Sequence, residues 1–123
     1  MIVEAVENAG IRTFSSVITL TEVLNHPLKL GNKQLEKAYR DILVNSIQYQ
    51  LIPINIPIAE SAANLRARYN LRTPDALHVA SAIYHRCDAF LTNDTGIRRV
   101  TDLPILILKE LDYYINAVNK LWE

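Results

Sequence analysis

Apolar positions follow two periodicities that alternate along the chain. Over residues 32–46, Leu35, Ala38, Tyr39, Ile42 and Leu43 recur at helical spacing. Glu36 with Arg40 and Lys37 with Asp41 stand one turn apart on the other face, so this segment reads as an amphipathic helix. Pro57 suits the first helical position of a second helix, in which Ile58, Ala62, Leu65 and Tyr69 share a face. Residues 11–15, 89–92 and 104–108 are instead short apolar runs of strand length. Residues 49–56 alternate until Pro53, which fits an edge strand because proline cannot donate to a central ladder. Ile2, Val3 and Val6 before Gly10 fit the tail of a helix over residues 2–8. A helix over residues 16–24 is expected to end or kink at Pro27. Leu111, Ile115, Val118 and Trp122 mark a terminal helix, and Tyr113, Tyr114 and Trp122 an apolar strip that serves packing or a partner subunit.

Short strands alternating with helices predict an α/β fold. The stretch over residues 71–96 organises it: a helix, a turn and a short buried strand ending in Asn93-Asp94. Thr73 as N-cap and Pro74 as first helical residue place Asp75 in the first turn. Ala76, Leu77, Val79, Ala80, Ala82 and Ile83 cover most of that helix's circumference, so it packs closely against a sheet. Ligands of open parallel sheets gather beyond the carboxyl ends of strands, where Asp94 falls. Glu22, after the strand at residues 11–15, is a third candidate acid for the same edge.

Each acid also has an ordinary structural reading. Thr19 and Glu22 have capping-box spacing, Asp75 favours the free N–H groups of a first turn, and Asp94 suits a cap on the turn that follows. His78, one turn after Asp75, reads as a packed or hydrogen-bonded histidine and His85 as exposed. Arg66, Arg68 and Arg72 sit at a helix C-terminus, where cations are favoured, or hold substrate phosphates. Arg98 and Arg99 add to this local positive charge.

Composition narrows the class. The chain has 123 residues, 50% of them hydrophobic and 21% charged, with a formal net charge of zero. That fits one globular domain over residues 1–123 and gives no global sign of nucleic-acid binding. One cysteine, Cys87, precludes an internal disulfide and lacks the neighbours of a nucleophile or zinc motif. With neither a signal sequence nor a long apolar run, a cytoplasmic, non-membrane protein is expected.

SSVITLTEVL at residues 15–24 and LRTPDALHVASAIYHRCDAFLTNDTGIRRV at residues 71–100 are similar to the PIN-domain family, especially its VapC-like toxins. PDALHVA followed by FLTND at this distance is the specific part of the resemblance. It implies a three-layer α/β/α fold with a short, mostly parallel central sheet, and a Mg²⁺- or Mn²⁺-dependent ribonuclease, often held inactive by a small antitoxin. By motif, Glu22, Asp75 and Asp94 correspond to the family's second, third and fourth acids. Thr92 and Asn93 correspond to its supporting pair, and Arg66, Arg72 and Arg98 are candidates for the RNA backbone. The family's first strand and its aspartate have no counterpart, so the sequence reads as shortened at its N-terminus. A gap in the middle of the sheet would then be closed by rearrangement or by a homodimer, including a domain-swapped one. A catalytically impaired partner-binding module is the alternative function; a phosphatase or a nuclease acting on DNA would share the same acid chemistry.

Overall fold

The structure, a computed structural model, describes residues 2–7, 10–46 and 49–110. Chain order is β1 (Ile2–Glu7), β2 (Gly10–Ser16), α1 (Ile18–Leu30), α2 (Lys33–Asn45), β3 (Tyr49–Ile52), α3 (Ile56–Tyr69), α4 (Thr73–Tyr84), β4 (Ala89–Thr92), a 3₁₀ turn (Thr95–Arg99) and β5 (Ile105–Ile107). The strands form one sheet in the order β3-β2-β1-β4-β5. β2 is parallel to β3 and β4 to β5, whereas β1 is antiparallel to both of its neighbours. The fold is thus an α/β/α arrangement around a short sheet in which four strands share one direction.

β1 replaces the helix tail expected over residues 2–8. Ile2, Val3 and Val6 satisfy a helical face by spacing, but β-branched side chains also suit a pleated ladder. Here β2 and β4 offer open hydrogen-bonding edges on both sides of the segment. Val3 pairs with Phe14 on one side and Phe90 on the other. The position where the resemblance places a parallel first strand is therefore occupied by the chain itself, in the reverse direction. No open gap remains in the middle of this sheet.

Local sequence explains the helix boundaries. Asn32 closes α1 and opens α2: its N–H donates to the Pro27 carbonyl at 3.0 Å, and its Oδ1 accepts from the Leu35 N–H at 3.1 Å. Gly31, at φ 65°, takes the left-handed position that this helix ending requires. The helix runs through the buried Pro27 to Leu30 rather than stopping at the proline. Asn55 caps α3 by accepting from the Ile58 N–H at 2.9 Å, and Asn70 ends that helix in the left-handed conformation. α4 begins one residue earlier than the sequence reading, with Arg72 at the cap and Asp75 still in the first turn. In α2 the buried stripe is narrower than its periodicity implied. Leu43 is buried, but Ile42 is 60% exposed.

The core forms where α3 packs on α4, and α4 in turn lies against β2 and β4. Ile58, Leu65, Ala76, Val79, Ala80 and Phe90 are all essentially inaccessible there. Small residues on α4 let it approach the sheet closely, so its first turn is held rigidly at the sheet's carboxyl edge. β3 lies at the edge of the sheet, as Pro53 implied. The terminal helix and the strip of Tyr113, Tyr114 and Trp122 lie outside the described residues.

Candidate functional site

Strands β2, β3, β4 and β5 all end at one edge of the sheet, with β4 ending at Thr92. A cavity of about 350 Å³ opens there, lined by Glu22, Arg72, Asp75, Leu91, Thr92, Asn93, Asp94 and Leu108. The three acids come from α1, the first turn of α4 and the loop after β4, and all three line the same cavity. Leu91 and Leu108 supply apolar surface beside them.

Asp75 is buried, with 6% of its surface accessible. A carboxylate in that position requires a partner, and Arg72 supplies one, its Nε donating to Oδ2 at 3.1 Å. The same guanidinium places Nη2 3.9 Å from Asp94 Oδ2. Arg72 thus lies between two acids while remaining largely exposed on its outer side. Arg66 and Arg98 do not line the cavity. Arg66 Nε donates to the Leu71 carbonyl at 3.2 Å, and Arg98 pairs with Glu110.

Asp94 is fixed by its own loop. The Gly96 N–H donates to its Oδ1 at 2.8 Å, and its backbone N–H donates to Thr92 Oγ1 at 3.0 Å. The buried Thr92 hydroxyl therefore holds the loop that carries the acid. Asn93 is exposed at the cavity rim.

Glu22 does not close a capping box, because α1 begins at Ile18 and Thr19 is a buried interior residue bonded to Ser15. Its Oε1 instead lies 2.6 Å from His78 Nε2. His78 is fully buried, and its Nδ1 lies 3.0 Å from Ser16 Oγ. Burial holds this imidazole below the ordinary histidine range, against the opposing pull of Glu22. The sequence suggested a hydrogen-bonded His78 but gave no sign of its partners, which lie 56 and 62 positions away.

Among the described residues lining the cavity, three carboxylates stand against one guanidinium, a formal charge of −2. The candidate ligand atoms of these described residues are oxygens: carboxylates, the Asn93 amide and the Thr92 hydroxyl. Such a set fits Mg²⁺ or Mn²⁺, hard ions that keep several waters and need only one or two protein carboxylates. Among the described residues, no three His, Cys, Asp or Glu side chains are gathered into a ready-made cluster. β1 runs antiparallel to its two neighbours at this edge. It enters the sheet there at Ile2, beside Leu91, while Glu4 pairs with Ala89 and Glu7 with Gly10 at the opposite end. Glu7 is five residues from Ile2, about 17 Å along a strand.

An α/β/α domain with acids converging beyond its parallel strands is the class defined by this geometry. The sequence matches the PIN domain over residues 2–103, and the chain belongs to that family. Among solved structures it is similar to a toxin-antitoxin complex from Klebsiella pneumoniae. The identity is 29% over 72% of this chain and 68% of that chain, with a TM-score of 0.60. No curated protein matches the sequence. Among the described residues, no helix is long and apolar enough to cross a membrane.

Proposed function

We propose that the protein is a Mg²⁺- or Mn²⁺-dependent endoribonuclease that hydrolyses RNA phosphodiester bonds, acting as the toxin of a toxin-antitoxin pair. The observation that carries this reading is the convergence of Glu22, Asp75 and Asp94 from distant segments onto one cavity, whose described lining residues sum to a formal charge of −2. A phosphodiester is itself an anion and is repelled by such a lining unless a cation stands between them.

Asp75 and Asp94 would hold the ion, directly or through water, and Glu22 would bind it or orient the attacking water. When bound, the ion lowers the pKa of its water and stabilises charge on the phosphate oxygens. Thr92 keeps Asp94 in place, Asn93 would contact substrate or a water held by the ion at the rim, and Arg72 would turn outward to a backbone phosphate. The apolar wall of Leu91 and Leu108 excludes bulk water from one side of the reacting group. Membership of the PIN family and likeness to a toxin-antitoxin complex support an RNA substrate and a small antitoxin partner.

The test is cleavage of single-stranded RNA by the purified chain. Cleavage is expected with Mg²⁺ or Mn²⁺, and it should vanish in EDTA and in Asp75→Asn. Persistence under both conditions would sink the site. The antiparallel register of β1, which pairs Glu4 with Ala89 and Glu7 with Gly10, favours a second reading: a catalytically impaired PIN module that acts by binding a partner or by dimerising. Under that reading Asp75→Asn changes neither partner binding nor the mass measured by light scattering.

A further inference from the structure

The contacts around His78 form a continuous chain from the protein interior to the cavity. The Ile18 N–H donates to Ser16 Oγ at 3.2 Å, Ser16 Oγ lies 3.0 Å from His78 Nδ1, and His78 Nε2 lies 2.6 Å from Glu22 Oε1. These groups belong to the end of β2, the start of α1 and the middle of α4. For a neutral ring, one assignment of protons satisfies every link. Glu22 as a carboxylate only accepts, so His78 carries its proton on Nε2. Nδ1 then accepts from the Ser16 hydroxyl, whose oxygen in turn accepts from Ile18.

Full burial leaves the ring no room to rotate away. Glu22, in contrast, is a long side chain with about half its surface exposed, and without a fixed partner it samples several rotamers. His78 also lies one turn beyond Asp75 on α4, so the ring connects two of the cavity's acids through one rigid helix. Anchoring Oε1 from behind restricts where Glu22 can reach into the cavity.

We propose that His78, backed by Ser16, is the positioning residue for Glu22, setting the place of this carboxylate for a divalent cation through the donated Nε2–H. The inference rests on the metal-dependent reading above and adds a residue that acts through Glu22 rather than on substrate. Outer partners of this kind alter metal affinity about 10- to 100-fold when removed.

Two amide substitutions separate positioning from packing. In His78→Gln the side-chain nitrogen falls near the original Nε2 and can still donate to Glu22. In His78→Asn the amide falls near the original Nδ1 and meets Ser16 but not Glu22. Mn²⁺ affinity, measured by titration calorimetry on the whole chain, is expected to fall about 10-fold in His78→Asn and to be largely retained in His78→Gln. Equal losses in both variants, or no loss in either, would overturn the proposal.

Nitrogen-15 NMR of the unsubstituted protein covers the case in which a variant does not fold. The His78 ring should show the Nε2–H tautomer, and its Nε2–H resonance should move as Mg²⁺ is added. Mg²⁺ binding with that resonance unmoved refutes the positioning role alone. Absence of Mg²⁺ and Mn²⁺ binding to the unsubstituted protein refutes the metal-dependent reading, and this inference with it.

Discussion

A single methyl group at Gly96 would touch the candidate site. A Cβ there would lie 3.1 Å from Asp94 Oδ1, the oxygen that already accepts the Gly96 N–H. The far end of a short carboxylate can yield, so Gly96→Ala should leave the fold intact while displacing Asp94. Mn²⁺ affinity should drop by about 10-fold with little change in melting temperature, and unchanged affinity would show that the orientation of Asp94 is immaterial. Cys87 offers a test away from the site. Burial, assisted by Asp88, pushes its thiol up to about 11 from 9.0. A raised pKa keeps the thiol protonated as pH rises past neutrality, and only the thiolate reacts. At pH 8 a pKa of 11 rather than 9 leaves roughly 100-fold less thiolate. Labelling by a disulfide reagent should therefore be slow in the native protein and fast in urea; rapid native labelling would contradict the burial of this residue.

At the scale of elements, the ends of α1 and α2 show how far local chemistry carries. Asn32, Gly31 and the Leu35 N–H specify a helix stop and a helix start within five residues. Gly31 has open space around its missing Cβ, so the cost of Gly31→Ala comes from the backbone, at φ 65°. That cost is about 1 kcal/mol, measurable by urea unfolding with an unchanged slope. The same kind of local reading recovered α2, α3, α4, β3, β4 and β5 within a few residues of their observed limits. It failed at β1, where Ile2, Val3 and Val6 fit two periodicities and the deciding partners are β2 and β4, the latter more than 80 residues along the chain. Of the two outcomes expected at Pro27, an end or a kink, the end does not occur: the proline is carried inside α1, beyond which two capping bonds close the helix. In the candidate site, Asp75 and Asp94 were legible because each follows a local signal, a first-turn acid or a strand end. The partners of His78 were not, since nothing local in HVASA names Ser16 or Glu22.

At the scale of the whole molecule, charge decides how RNA would be held. The chain has no net charge, so long-range attraction of a polyanion is weak. Several arginines are engaged within the fold: Arg66 with the Leu71 carbonyl, Arg68 with Asp102 at 2.5 Å, Arg98 with Glu110 and Arg99 with the Asn70 carbonyl. Among the described residues lining the cavity, the cation is Arg72, shared between Asp75 and Asp94. Binding under the proposed function then rests on this arginine and on the divalent ion, with few further phosphates neutralised. Each phosphate neutralised on a single strand contributes about −0.7 to the slope of log affinity against log salt. One or two such contacts give a slope of about −0.7 to −1.4 at constant Mg²⁺, readable by fluorescence anisotropy with a non-hydrolysable RNA analogue. Arg72→Gln should flatten that slope and weaken binding uniformly across RNA sequences. A slope steeper than about −4 would place an extended basic surface elsewhere on the chain and remove Arg72 from its assigned role.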